Sequence, residues 1–184
     1  MSNSNKELFE LKQVSIRLVN GVSLYAEKPI NGPQAAIEIL GKEISQFDRE
    51  VICVVNLQSD GKPINFEITS VGALDYSLTS PRELLKSAIL SNASKMLLLH
   101  LHPSGNLQPS GDDIRLTAKM IRLCHDIGIP LIDHIIIGGR TGEFFSFREK
   151  NLMEVDKIKY PTDLEKLNFA ERKNYKTRDM EIEL

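Results

Sequence analysis

The chain has 184 residues, 41% hydrophobic and 26% charged, the proportions of a single soluble globular domain with a core of its own. A formal net charge of −2 and a pI of about 6.1 exclude the global positive field that advertises nucleic-acid binding. Cys53 and Cys124, both in apolar segments, are too few for a disulfide framework, and no apolar run reaches the roughly eighteen residues of a membrane span.

"QVSIRLV" (13–19) alternates as a half-buried strand does. "NGPQAAIEILGKEISQF" (31–47) predicts a helix capped by Asn31, with Pro33 in its first turn and Ala36, Ile37, Leu40, Ile44 and Phe47 on one face. "EVICVVNL" (50–57) is an almost unbroken apolar run, which suits a strand covered on both faces. The Asp-Gly turn in "SDGK" (59–62) links it to "INFEITSV" (64–71), with Ile64, Phe66 and Ile68 on one face and Glu67 on the other. "SPRELLKSAILSN" (80–92) predicts a helix opened by a Ser80/Glu83 capping box. "KMLLLHL" (95–101) is a further buried strand, and "SGDDIRLTAKMIRLCHDIG" (110–128) a helix with Ser110 as cap and Gly128 as stop. "IPLIDHIIIGG" (129–139) and "EFFSF" (143–147) complete the core as strands. Interleaved strands and helices with one hairpin predict an α/β fold, a mixed sheet flanked by helices. The expected division is an N-terminal extension over 1–13, one domain over 14–148 and a charged tail over 149–184. The N-terminus lacks a basic start followed by an apolar stretch, so a cytoplasmic protein without a membrane partner is expected.

The chemistry concentrates in "HLHPSGNLQPSGDD" (100–113). Alternate strand residues share a face, so His100 and His102 present their imidazoles together, and Pro103 ends the ladder beside them. Asp113 lies in the first turn of the next helix, and the intervening turn can fold that helix start back over the strand end. Two imidazoles and one carboxylate then converge, leaving a fourth tetrahedral position for water, as in catalytic zinc sites. Zinc brings the pKa of such a water to about 7, and amide hydrolysis further needs a general base outside the ligand set. Glu43, Glu50, Glu67 and Glu83 are the candidates. Glu83 is accounted for by its capping box, Glu67 by a solvent-facing strand position and Glu43 by solvation, so Glu50, at the head of a buried run, ranks first. Ser110 is explained by capping alone; Asp112 and His125 suit the dipole of their helix. Ser104 and Gly105 shape the turn. Asp133 and His134 are candidates for supporting the ligands.

The series His100-x-His102, seven residues, Ser110, two residues, Asp113 resembles the JAMM (MPN+) metalloprotease motif. With "IPLIDHIIIGG" and "FFSF" downstream, the chain is similar more narrowly to the RadC-like JAB domains of bacteria, over roughly residues 14 to 150. The resemblance implies a single three-layer α/β domain related to cytidine deaminases. It implies one zinc ion with a bound water on His100, His102 and Asp113, water activation by Glu50, and a role for Ser110 at the oxyanion. Deaminase chemistry is disfavoured, because the H-x-E and P-C-x-x-C elements are absent. Leu101 stands where many RadC-like domains carry Asn, on the strand face expected to point away from the metal.

The expected activity is that of a zinc metallopeptidase or isopeptidase acting on a protein or peptide. Two other readings compete: a RadC-type DNA-associated protein and a catalytically silent metal-containing binding module. The helix-hairpin-helix region of longer RadC proteins does not occur in this sequence, so nucleic acid rests on the family name alone.

Overall fold

The computed structural model describes residues 12–72, 80–139 and 141–153. The elements in chain order are α1 (Pro33–Ile44), β1 (Val51–Leu57), β2 (Pro63–Val71), α2 (Pro81–Leu90), β3 (Lys95–His102), α3 (Gly111–Asp126), β4 (Leu131–Gly138) and β5 (Phe144–Ser146). The strands form one five-stranded sheet in the order β2-β1-β3-β4-β5. Only the β3–β4 pair is parallel, with α3 in the crossover between them; the other pairs are antiparallel.

The two unbroken apolar runs become the central strands, as expected of strands covered on both faces: every residue of β1 is buried, and all of β3 after Lys95. Val51, Cys53, Val55, Leu97, Leu99 and Leu101 pack on one side, against Ala36, Leu40 and Ile44 of α1. Ile52, Val54, Met96 and Leu98 pack on the other, against Leu84 and Ala88 of α2 and Leu116, Met120 and Cys124 of α3. The result is three layers, α1 on one side of the sheet and α2 with α3 on the other. Both cysteines are free and buried, and burial pushes each thiol up to about 12, so neither is reactive at neutral pH.

Several local expectations need correction. The strand expected over 13–19 does not form: residues 12–25 have no regular secondary structure, and Val14, Ile16 and Val19 are exposed. Alternation marks one face of a segment, but a strand also needs a neighbour to bond, and no described strand lies against this one. Gly32, not Asn31, occupies the N-cap of α1, with no side-chain bond. Ser80 does cap α2, but it accepts from the Arg82 amide, and Glu83 pairs with Lys86 at 2.5 Å instead of closing a box. Ile64 points outward while Phe66 and Ile68 pack on the α1 side. Glu67 is half-buried, not solvated. Of the expected extension and tail, residues 1–11 and 154–184 lie outside the described residues. No helix among those described is long and apolar enough to cross a membrane.

The C-terminal ends of β3 and β4 are braced against each other. The His102 carbonyl accepts from the Gly105 amide at 3.0 Å and from the Gly139 amide at 2.9 Å. The loop after His102 lies so close to β4 that a Cβ on Gly138 would stand 2.8 Å from Leu107 Cδ2 and 3.1 Å from the Gly105 carbonyl oxygen. Gly138→Ala is therefore expected to lower stability by about 1–3 kcal/mol through overpacking, read as a lower urea midpoint at unchanged slope.

Candidate metal centre

His100 and His102 lie on the face of β3 that carries α2 and α3. Antiparallel register sets Ile52 against His100 and Val51 against Leu101. Glu50, one residue before β1, is thus in line with His102 on that face. Its carbonyl accepts from the Gly72 amide at 3.0 Å, which fixes its backbone at the strand entrance. Leu101 packs into the α1-side core and so faces away from the centre.

Asp113 arrives from the start of α3, held by the capping box that α2 lacks. The Ser110 side chain accepts from the Asp113 amide at 3.1 Å, while Asp113 Oδ2 accepts from the Ser110 amide at 2.7 Å and from its hydroxyl at 2.6 Å. Asp113 Oδ1 is left facing His100 Nδ1, 2.8 Å away, and Oδ2 stands 3.7 Å from His102 Nε2. On the other side Glu50 Oε2 is 2.8 Å from His100 Nε2 and 4.0 Å from His102 Nε2. The structure thus brings Glu50, His100, His102, Ser110 and Asp113 into one cluster. Among the described contacts, Glu67 and Glu83 take no part in it. The His100 and Asp113 side chains are buried, whereas Glu50 is 34% exposed, so the cluster opens to solvent on the Glu50 side.

Two details prepare the nitrogens for a metal. The Asn106 carbonyl, 2.7 Å from His102 Nδ1, can only accept, so Nδ1 carries the proton and neutral His102 offers a lone pair at Nε2. That carbonyl is aimed by a self-braced turn, in which Ser104 Oγ accepts from the Asn106 amide and Asn106 Oδ1 from the Gln108 amide. Burial alone would lower His100, but the carboxylates of Asp113 and Glu50 beside it outweigh burial and raise its pKa; His102 is raised chiefly by Asp113. Burial likewise opposes ionisation of Asp113, yet the imidazoles of His100 and His102 beside it and the hydrogen bonds from Ser110 hold it well below the usual carboxylate range. Two imidazoles held beside two carboxylates form a donor set suited to a divalent metal, which would take the place of the imidazole protons. Two residue groups place one donor atom each within 4.8 Å of the others: Glu50, His100 and His102, and His100, Asp113 and His134.

His134 and Thr117 were not singled out by the spacing argument for ligands. His134 lies one step deeper on β4, beside Leu98 in register, its ring stacked between Phe147 at 5.0 Å and His100 at 6.0 Å between centroids. Complete burial lowers its pKa to about 3, so it is neutral. Thr117 Oγ1 bonds both the Asp113 carbonyl, at 2.5 Å, and His134 Nδ1, at 2.7 Å. A Thr one turn beyond Asp113 on the same helix face was the available sequence signal. Asp133 has a different task. It points to the α1 side and accepts from the Ser146 hydroxyl and the Arg148 amide, anchoring β5 and the turn that carries Phe147. His125 is exposed at the end of α3, away from the cluster.

A family model described as the RadC-like JAB domain matches residues 30–152, which include every member of the cluster. The chain is similar to a UPF0758 protein of Moorella thermoacetica, 37% identical over 124 residues, covering 67% of this chain and 53% of that protein. It is likewise similar to a UPF0758 protein of Alkaliphilus oremlandii, 38% identical over 124 residues with the same two coverages. A UPF0758 protein of Lactococcus lactis is 39% identical over 113 residues, covering 61% of this chain and 49% of that protein. The chain therefore spans about half the length of these relatives. The family match over 30–152, the three-layer α/β fold and residues grouped so that they could hold a metal agree: the chain belongs to the RadC-like JAB domain family.

Proposed function

We propose that this chain is a zinc-dependent hydrolase cleaving an amide bond, peptide or isopeptide, in a protein substrate. The observation that carries this reading is Glu50: a partly exposed carboxylate 2.8 Å from His100 and 4.0 Å from His102, at the solvent-open side of the buried His100, His102 and Asp113. His100, His102 and Asp113 would hold the ion, which when bound supplies Lewis-acid polarisation and a water acidified to about neutral pKa. Glu50 takes a proton from the attacking water and returns it to the departing amine. Ser110 acts first through Asp113, fixing Oδ2 with two hydrogen bonds so that the carboxylate cannot rotate. The oxyanion role that the family resemblance implies requires the Ser110 hydroxyl to turn from Asp113 towards the substrate.

The purified chain loaded with zinc is expected to cleave peptide or isopeptide-linked substrates, to lose that activity to a chelator and to regain it with added zinc. Cleavage that survives complete chelation would contradict the proposal. Zinc binding without cleavage of any amide would favour the silent binding module.

A further inference from the structure

Two buried ring nitrogens near the centre, His100 Nδ1 and His134 Nε2, have no hydrogen-bond partner among the described residues. A buried nitrogen without a partner is costly, so a pair of them on adjacent strands calls for an explanation. The proton count at His134 is fixed by its neighbours. The Asp113 carbonyl can only accept, so the single hydroxyl proton of Thr117 goes to it, at 2.5 Å. Thr117 Oγ1 must then accept from His134 Nδ1, 2.7 Å away. His134 therefore carries its proton on Nδ1 and presents a bare lone pair at Nε2.

His134 and His100 project from neighbouring parallel strands on one face, with rings 15° from parallel and centroids 6.0 Å apart. One donor atom each of His100, His134 and Asp113 lies within 4.8 Å of the others, and neither His100 Nδ1 nor His134 Nε2 has a direct partner, so one water can bridge them. Asp113 Oδ1 is 2.8 Å from His100 Nδ1 but not aligned with its N–H, so it does not satisfy that nitrogen. Phe147, stacked on the outer face of His134, removes the ring's freedom to turn away.

We infer that His134 is a positioning residue for His100: its Nε2 accepts, through one buried water, the proton on His100 Nδ1. The water's valences close: it accepts from His100 Nδ1–H and donates to His134 Nε2 and Asp113 Oδ1. The consequence is that His100, like His102, is committed to offer Nε2 to the ion. The relay Asp113 carbonyl, Thr117, His134, water, His100 ties helix α3 to the tautomer of a ligand on β3.

This inference rests on the zinc reading of the same cluster, and the experiment separates their failures. Zinc titration of the full chain and of His134→Leu and His134→Gln is combined with long-range 1H–15N correlation spectra of the histidine rings in the zinc-loaded wild type. We expect wild-type binding, about 10–100-fold weaker binding in His134→Leu, and partial recovery in His134→Gln, whose side-chain oxygen is again an acceptor. The wild-type spectra should show His100 and His102 protonated at Nδ1 and metal-bound at Nε2, and His134 protonated at Nδ1 with Nε2 free of metal. These spectra decide the matter even if a variant fails to fold. Zinc on His100 Nδ1, zinc on His134, or equal affinity in His134→Leu would overturn the inference and leave the hydrolase reading standing. No zinc binding by the wild type would remove both.

Discussion

Glu50→Gln is expected to reduce amide hydrolysis by about 10²–10⁴-fold in kcat, with little change in KM and with zinc still bound. The substitution keeps the shape of the side chain and removes its ability to take a proton. Glu50 is the cluster carboxylate best placed for that work, because it is left partly in solvent while lying 2.8 Å from a buried imidazole, whereas the Asp113 carboxylate is buried. Steady-state kinetics together with zinc content distinguish the possible roles. If zinc is lost along with activity, Glu50 is a ligand, in keeping with its proximity to both histidines, and the general-base role fails. If activity is undiminished, the proton is handled elsewhere.

The second large effect concerns the ion. The wild-type chain should bind one zinc, and His102→Ala should abolish binding, because Nε2 of His102 is the donor whose lone pair the Asn106 carbonyl secures. His125→Ala, at an exposed position on α3, should bind as the wild type does. Acidity adds a signed test. Both cluster histidines have pKa values raised above 6.5 in the metal-free protein, so they hold protons to higher pH than free histidine does. Protons must leave before zinc enters, so apparent affinity should be highest above the raised pKa values and fall steadily as pH drops through them. Calorimetric titrations at pH 8, 7 and 6 check this, with proton release on binding growing towards the acid side. A pH-independent affinity would place the ion away from His100 and His102.

Much of this site was legible in the sequence because its geometry follows from two short periodicities. Residues two apart on a strand share a face, which places His100 with His102. An N-cap three residues before a carboxylate builds a reciprocal pair, which fixes Asp113 by Ser110. Apolar runs similarly marked β1 and β3. The harder parts depend on partners distant in the chain. Nothing local to 13–19 shows whether a second strand lies beside it, and none among the described residues does. Ser80 and Glu83 have capping-box spacing, but a lysine one turn on competes for the glutamate and wins. Asn106 matters through its carbonyl, which its side chain does not reveal, and Gly138 through the closeness of Leu107 across a loop. The sequence names His134 as a candidate for supporting the ligands, but its partner there, Thr117, lies on another element.

The central claim is that three side chains hold one ion while Glu50 stays one water away from it. A crystal structure of the zinc-soaked chain, with anomalous data at the zinc edge, tests this most directly. A single strong peak is expected, bound by His100 Nε2, His102 Nε2 and the Asp113 carboxylate, with Glu50 contacting the metal-bound water. A peak held by His100, Asp113 and His134, or no peak at this cluster, would contradict it.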